Sequence, residues 1–286
     1  MGQTDRVTEP FADRFAQVRS AFGPLVWGLD PSGRLLESWG LGDTADGLDR
    51  FVDLAIEAAA GAIGLVKPQS AFYERHGWRG VRTLARLANE ARQAGLLVIL
   101  DAKRGDVGST NDAYAEAYLG PDAPMTADAL TVSPYLGLGA MDAFVERADR
   151  SGSCLLVVVR SSNPEGRRVQ AARDESGQTV ESALLQEIGS RNAQLRPGRV
   201  GPIGAVIGPN HMSPELDLVG ANALFLAPGI GAQGATPSDV AQVFSSCPDR
   251  VMPSASRLLL GAGPDPGKLR AEIQALAGVF KELLQA

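Results

Sequence analysis

A regular alternation of short apolar runs and stretches of helical periodicity constrains the fold of this chain more than any other feature. Eight apolar runs bounded by turn residues have the pattern of buried parallel strands. They are Leu25–Leu29, Ala62–Val66, Leu96–Leu100, Ala129–Val132, Cys154–Val159, Ile203–Ile207, Ala223–Ala227 and Arg250–Ala255. The helical-period stretches, which separate most consecutive pairs of runs, are Leu48–Ala60, Gly80–Ala94, Thr110–Tyr118, Ala140–Ala148, Glu181–Ala193 and Leu269–Leu284.

Eight repeats of about 30 residues, with no long Pro/Gly/Ser linker between them, favour a closed parallel barrel over an open doubly wound sheet. A chain of 286 residues could hold two domains of average size. Such barrels, however, routinely use roughly 250 residues as one domain. We therefore predict that residues 1–286 form a single α/β domain, a (β/α)8 TIM barrel, with an extra N-terminal helix at residues 8–22. The two longest predicted loops, at 31–46 and 160–178, are candidates for lids over a site.

The composition argues against several classes of protein. The net charge is −6 and the basic residues are scattered, so no nucleic-acid partner is expected. The two cysteines, Cys154 and Cys247, support neither a disulfide framework nor a thiolate zinc site, which indicates a reducing compartment. The first ten residues contain no apolar signal segment, and no apolar run approaches the roughly 20 residues that span a bilayer. We expect a cytoplasmic protein with no membrane span.

Polar residues or glycines follow the predicted strands. In parallel barrels the active site lies at the carboxyl ends of the strands, so these residues are expected to converge on one face. They are, in chain order, Asp30, Lys67, Asp101 with Lys103, Thr131 with Ser133, Arg160 with Ser161 and Ser162, Gly208, the segment 227–234, and Ser254 with Ser256 and Arg257.

The densest group of charges lies in the segment DAKRGDVGST at 101–110. Asp101 and Lys103 share a strand face, and Asp106 follows one turn later. A solvated surface turn is the alternative, but the segment comes directly out of the apolar run LLVIL, which predicts desolvated charges. With Lys67 at the end of the preceding strand, a Lys-Asp-Lys-Asp array can form, in which the carboxylates keep both lysines cationic. A cationic Lys103 suits a general acid that protonates a carbanion, whereas a Schiff-base nucleophile must lose its proton.

A phosphate site is predicted where the last two strands end. The loop GIGAQG at 229–234 offers backbone N–H groups, that of Gly231 among them, at a position where barrels commonly hold phosphate. Arg257 could add a bidentate contact and Gln233 a side-chain donor. No metal site is predicted, because the two histidines, His76 and His211, do not lie at metal-ligand spacing.

These residues resemble the orotidine 5′-phosphate decarboxylase family, and its longer, actinobacterial-type branch fits best. The pattern D-x-K-x-x-D-x-x-x-T is the most specific element, and it is met by Asp101, Lys103, Asp106 and Thr110. Six further segments are similar to the strand-end motifs of the family and occur in the same order. They are WGLDPS at 27–32, VKPQSAFYERHG at 66–77, TVSPYLG at 131–137, SSNPEG at 161–166, APGIGAQG at 227–234 and SASR at 254–257.

The resemblance implies a cofactor-free conversion of orotidine 5′-phosphate to uridine 5′-phosphate, in a homodimer of barrels with shared active sites. It implies that Asp101 crowds the substrate carboxylate, that Lys103 protonates the ring carbon, and that Lys67 holds the array and a ribose hydroxyl. Six further positions take roles by the same resemblance. Asp30 binds ribose, Asp106 and Thr110 reach into the neighbouring subunit's site, Ser133 contacts the pyrimidine, and Gln233 with Arg257 grips the phosphate. The segment VIGPNHMSPEL after strand six departs from the family's Gly-Ala-Thr turn but contains none of the charged positions.

Two other functions are weighed against this one. A sugar-phosphate decarboxylase of the same superfamily resembles the motif but uses magnesium, which it binds with a carboxylate at the end of strand two. Lys67 occupies that position here, and an ammonium would repel the cation. The second alternative is a catalytically silent nucleotide-binding barrel, which would have no reason to keep four charges desolvated together.

Overall fold

Eight parallel strands close into a barrel in the computed structural model of the chain, which describes residues 9–210, 216–231 and 234–284. The strands are β1 (Val26–Leu29), β2 (Leu65–Pro68), β3 (Leu97–Arg104), β4 (Ala129–Val132), β5 (Cys154–Arg160), β6 (Ile203–Ile207), β7 (Phe225–Ala227) and β8 (Val251–Ala255). Each strand pairs in parallel with the next along the chain, and β8 closes the barrel by pairing Ser254 with Val26 of β1. The predicted (β/α)8 TIM barrel is confirmed.

Twelve α-helices occur in the described part of the chain, most of them packed around the barrel. They are α1 (Phe11–Phe22), α2 (Gly33–Ser38), α3 (Ala45–Ala59), α4 (Ser70–Glu74), α5 (Gly77–Gln93), α6 (Ser109–Tyr118), α7 (Asp142–Ser151), α8 (Arg167–Gln170), α9 (Val180–Leu195), α10 (Pro237–Val243), α11 (Arg257–Leu260) and α12 (Pro266–Leu283). No helix in the described ranges is both long enough and apolar enough to cross a membrane.

The prediction of two long loops was wrong in detail, because both segments contain helices too short to show a periodicity. Within 31–46, α2 begins where the side chain of Ser32 accepts a hydrogen bond from the backbone N–H of Leu35. Within 160–178, α8 forms a single turn. A cap residue followed by proline also predicts a helix start at Thr236-Pro237 and another at Ser213-Pro214. The first is confirmed by a capping box at the start of α10, whereas the second lies outside the described residues.

The hydrophobic core has two layers, one between the strands and the outer helices and one inside the barrel. Helix α1 closes the inner layer, since Phe11 and Phe15 pack with interior side chains of the strands. Arg14 of the same helix pairs with Asp128, which directly precedes β4, and donates to the carbonyl of Gly152 just before β5 at 2.9 Å. The N-terminal helix therefore plugs the amino end of the barrel, which leaves the carboxyl end to form a site.

Candidate active site

A cavity of about 320 Å³ opens at the carboxyl ends of the strands. Its wall includes residues from or directly after all eight strands, as expected when a closed parallel barrel gathers the strand ends at one mouth. Members of the wall that the sequence had singled out are Asp30, Lys67, Asp101, Lys103, Thr131, Ser161, Ser162, Ser254, Ser256 and Arg257. The size is that of an ordinary small-molecule site.

Asp101 lies between two lysines on the floor of this cavity. The Lys67 ammonium donates to Asp101 Oδ2 at 2.8 Å, and the Lys103 ammonium donates to Oδ1 at 2.6 Å. Thr131 Oγ1 also donates to Oδ1, at 2.9 Å. The structure therefore brings together three of the four charged groups that the sequence predicted as an array.

The two lysines differ sharply in exposure. Lys67 and Asp101 are buried, but 47% of the Lys103 side chain is exposed. The expectation that all the charges would be desolvated is therefore wrong for Lys103 within one chain. The reason is its position at the rim, where it binds the carboxylate from the solvent side while Lys67 binds it from below.

Mutual attraction keeps the buried pair ionised. Burial alone would lower the pKa of Lys67, but the carboxylates of Asp101 and Asp30 outweigh burial and raise it. Burial would likewise raise the pKa of Asp101, yet the two ammonium groups hold it far below its usual range. The site therefore presents a fixed negative charge between two fixed positive charges.

Asp106 lies apart from the array, in the turn that precedes α6. Its carboxylate accepts the backbone N–H of Val107 at 2.8 Å, and its carbonyl accepts the side-chain amide of Asn111 at 2.5 Å. Neither Asp106 nor the exposed Thr110 belongs to the cavity wall. Val107, which follows Asp106 in the chain, is an exposed apolar residue, and so are Tyr135 and Leu136 in the turn after β4.

Two polar atoms in the cavity have no hydrogen-bond partner among the described residues. They are Asp30 Oδ1 and Ser256 Oγ, and both atoms are buried. The pairing of β1 with β8 brings Gly28 against Ser256, so closely that a Cβ on Gly28 would lie 2.6 Å from the Ser256 Cβ. Only glycine fits there. Ser256 is a residue that strand-end position indicated, although it was not selected as a site residue.

The predicted phosphate loop is only partly at the cavity. Gly229 and Arg257 belong to the wall, but Gly231 does not, and its N–H donates to the carbonyl of Ala235 at 2.9 Å. The φ of Gly231 is +75°, a conformation that favours glycine in such a turn. Gln233 lies outside the described residues. Arg257 remains the cationic candidate for the phosphate end.

The end of β5 differs most from expectation. Ser161, Ser162 and Asn163 belong to the cavity wall, whereas Ser133, the serine predicted to contact the base, does not. The N–H of Ser133 donates instead to the carbonyl of Arg104 at 2.8 Å. Ser162 belongs to the motif SSNPEG, so the sequence did indicate it. Nothing in the sequence, however, favours Ser162 over Ser133 as the residue that contacts the pyrimidine.

Arg160, which the sequence placed at the mouth, points away from it. Its Nε and Nη2 each donate to the carboxylate of Glu181 at 2.7 Å, in a buried pair with α9. A register shift between Val158 and Arg160 turns the arginine side chain outward. The pair joins the two ends of the loop whose first residues wall the cavity.

No group of three or more His, Cys, Asp or Glu in the described ranges is arranged to hold a metal ion. His76 Nε2 lies 3.6 Å from Asp43 Oδ1, away from the cavity wall. His211 lies outside the described residues. The donors that the cavity does offer are two ammonium groups, the guanidinium of Arg257 and hydroxyls, and these suit an anionic organic ligand.

Comparison with known proteins gives consistent results. Residues 23–268 match the family model described as orotidine 5′-phosphate decarboxylase / HUMPS family. The curated relative from Streptomyces coelicolor, named orotidine 5′-phosphate decarboxylase, is 46% identical over 269 residues, which are 94% of this chain and 96% of the relative. The relative of the same name from Salinispora tropica is 47% identical over 262 residues, or 92% and 94% of the two chains.

A solved structure is also similar to this chain over its whole length. The crystal structure described as an orotidine 5′-phosphate decarboxylase from Streptomyces avermitilis superposes with a TM-score of 0.94 at 44% identity, and the match covers 100% of both chains.

Proposed function

The chain belongs to the orotidine 5′-phosphate decarboxylase / HUMPS family, and we propose that it converts orotidine 5′-phosphate to uridine 5′-phosphate without a cofactor, through the ionised groups of Lys67, Asp101 and Lys103. This carboxy-lyase reaction belongs to pyrimidine nucleotide biosynthesis. The observation that carries the proposal is the Asp101 carboxylate held between two ammonium groups at 2.8 and 2.6 Å on the floor of the cavity.

The chemistry follows from these charges. A fixed Asp101 anion beside the substrate carboxylate repels it, and this repulsion is relieved when the bond to the ring breaks and carbon dioxide leaves. The electron pair of that bond stays on the ring carbon, where the Lys103 ammonium stabilises it and then donates a proton. Solvent can reprotonate the amine, because Lys103 is half-exposed. Lys67, buried and cationic, holds Asp101 in place and binds a ribose hydroxyl.

The rest of the cavity suits the rest of a nucleotide. Asp30 Oδ1 is buried without a partner in the described chain, so a ribose hydroxyl can donate to it. Arg257 binds the phosphate, for which Gln233 is the predicted second donor. Ser133 and Gly231 were predicted to bind substrate, but their places in the structure give those two assignments no support. Ser162, in the wall, is the better candidate for the pyrimidine.

Lys67 also distinguishes this proposal from a magnesium-dependent sugar-phosphate decarboxylase. An ammonium with two carboxylate neighbours keeps its proton, and it would repel a divalent cation at the end of β2. A silent nucleotide-binding barrel is disfavoured for another reason. Binding alone has no use for a buried carboxylate held between two lysines.

Loss of orotidylate absorbance tests the proposal directly. Purified protein is stripped of metals, and the reaction is followed with and without EDTA. We expect turnover that is insensitive to EDTA, because the charges are supplied by the chain. No turnover, or turnover restored only by magnesium, would contradict it. Lys103→Ala provides the matched inactive control for contaminating enzyme.

We further propose that two copies of the chain share their active sites and that the enzyme is cytoplasmic. Val107, next to Asp106 in the chain, and Tyr135 and Leu136, in the turn after β4, are exposed apolar residues. The two segments are joined by the hydrogen bond from the Ser133 N–H to the Arg104 carbonyl. A second copy that covered these residues would bring Asp106 and Thr110 toward its own cavity.

Subunit mixing tests the shared site. Inactive Lys103→Ala and Asp106→Ala dimers are mixed and allowed to exchange, and hybrid formation is verified by mass. Each hybrid then contains one site with both groups intact, so about a quarter of the sites regain activity after random exchange. Mixing two samples of Lys103→Ala is the control. If verified hybrids stay inactive, Asp106 serves its own subunit's site.

A further inference from the structure

The backbone of Lys103 adopts a conformation that a side chain disfavours. Its φ is +45°, and Asn222 is the only other non-glycine residue with positive φ in the described chain. Residues with a Cβ persist in this region only where their surroundings hold them, and such positions cluster at functional sites. Asparagine adopts this conformation more readily than lysine, so Lys103, the residue proposed as the proton donor, is the one of the two that more needs support from its surroundings.

A break in the β3–β4 ladder produces this conformation. Leu100 pairs with Leu130, and the next pair is Arg104 with Val132, so β3 advances four residues while β4 advances two. The two extra residues form a bulge in the segment that carries Asp101 and Lys103. A bulge leaves backbone groups without their ladder partners and re-aims the side chains on it.

Thr131 supplies the missing contact. Its Oγ1 accepts the backbone N–H of Lys103 at 3.0 Å, and it donates its own proton to Asp101 Oδ1 at 2.9 Å. The Lys103 ammonium binds that same oxygen at 2.6 Å. One hydroxyl thus ties the backbone of Lys103 to the carboxylate that its side chain binds, and Thr131 is only 1% exposed.

We propose that Thr131 is the positioning residue of the array: its hydroxyl holds the bulge in the left-handed conformation that aims Lys103 at the reacting carbon. This inference rests on the proposed decarboxylation and assigns the group that makes its proton donor effective. A β-branched side chain suits the task because its χ1 is restricted, so the hydroxyl is held in one direction. Valine at 131 would keep the shape and remove both hydrogen bonds, whereas serine would keep the hydroxyl.

The test compares Thr131→Val and Thr131→Ser with wild type. We expect Thr131→Val to lower kcat by about 10- to 100-fold, because a small displacement of the donor is costly, while KM changes by less than about threefold. Thr131→Ser should retain kcat within about fivefold, since its hydroxyl restores both bonds with a less restricted χ1. A kcat for Thr131→Val within twofold of wild type, or equal losses in the two variants, would overturn the proposal.

Thr83→Val is the matched control. Thr83 lies on the outer helix α5 and, at 1% exposure, is as buried as Thr131. Its hydroxyl also donates to an aspartate, Asp49 Oδ1, at 2.6 Å. Removing that hydroxyl should affect thermal stability as Thr131→Val does and leave kcat unchanged. If both variants lose kcat in proportion to stability, Thr131 has only a structural role.

A measurement without turnover separates this inference from the proposed function. Amide hydrogen exchange at Lys103 should be slow in wild type and Thr131→Ser and at least about tenfold faster in Thr131→Val, because the N–H then lacks its acceptor. Exchange can be measured even if wild type does not decarboxylate orotidine 5′-phosphate. That failure would refute the proposed function but would not affect the role of Thr131. Equal exchange rates at Lys103 in wild type, Thr131→Ser and Thr131→Val would refute the role of Thr131. If Thr131→Val does not fold, fast exchange at Lys103 in Thr131→Ser would refute that role instead.

Discussion

Each end of the barrel holds a buried aspartate that is paired with a cation, but the two ends treat the pair differently. At the amino end, Asp128 binds Arg14 of α1, and its Oδ2 also accepts the N–H of Val98 at 2.9 Å. Arg14 donates further to the carbonyl of Gly152 at 2.9 Å, and Phe11 and Phe15 seal the inner core beside it. At this end the charged groups bind each other and the backbone, and they serve only to hold the fold together.

At the carboxyl end, Asp101 also has strong partners, but polar groups around it remain exposed or without a hydrogen-bond partner. Lys103 is half-exposed, and Asp30 Oδ1 and Ser256 Oγ lack partners among the described residues. Folded proteins satisfy nearly all of their buried polar groups, so those that they leave open are candidates for ligand contacts. A working site therefore differs from a structural one in whether the surrounding polar groups are satisfied, and not in the buried ion pair itself.

The largest expected effect is on catalysis at the carboxyl end. Lys103→Ala should abolish turnover, falling below about a hundredth of wild type, because it removes the proton donor. Binding of uridine 5′-phosphate, measured by calorimetry, should persist. Residual turnover above that level would remove Lys103 from its role as acid and weaken the contrast between the two ends.

At the amino end, the same kind of deletion should affect stability instead. Arg14→Ala should lower the free energy of unfolding by about 3 kcal/mol, since it leaves Asp128 buried without its main partner. Turnover per folded molecule should stay at the wild-type value. The control is Arg199→Ala, which breaks the exposed pair of Arg199 with Asp13 and should cost less than about 1 kcal/mol in urea denaturation. A loss of turnover in Arg14→Ala would show that the two ends are not independent.

A smaller effect is expected at the phosphate end of the cavity. Arg257→Ala should raise KM for orotidine 5′-phosphate by about tenfold or more, the loss typical of hydrogen bonds to a charged group. The unphosphorylated nucleoside, compared in the same assay, should be affected little. An unchanged KM for the phosphorylated substrate would remove Arg257 from the phosphate site.

The smallest expected change is in the titration of the array. The two lysines lower the pKa of Asp101, so its carboxyl ¹³C shift should stay constant from pH 7 to about 4, the ordinary value for aspartate. The stability that this ionisation contributes is present above that value and is lost as pH falls through the lowered pKa. Titration of Asp101 at or above pH 4 would mean that the lysines do not hold it ionised.

Much of the fold could be predicted because it depends on local patterns. Apolar runs predicted all eight strands, and a cap residue followed by proline predicted the start of α10. The short helices α2, α4, α8 and α11 were not predicted, since one or two turns show no periodicity. The site was partly predictable as well, because Asp101 and Lys103 are close in sequence and Lys67 ends the neighbouring strand.

The prediction that Arg160 lies at the mouth failed because the strand register changes just before it. Arg160 follows an irregularity in β5, which turns it from the mouth to Glu181. Ser133 and Ser162 both follow apolar runs, yet only Ser162 reaches the cavity wall. Thr131 was noted as a strand end, but nothing in its sequence showed that it would bind the backbone of Lys103.

The order of the amino acids by itself determined a parallel barrel, the end at which its site lies, and the charged groups available there. These follow from periodicity and from what comes after each apolar run, which are properties of neighbouring residues. The tertiary structure alone decided which groups meet, how far each is removed from water, and the left-handed backbone at Lys103. Those depend on hydrogen bonds and register between strands far apart in the chain, whose energies no local pattern contains.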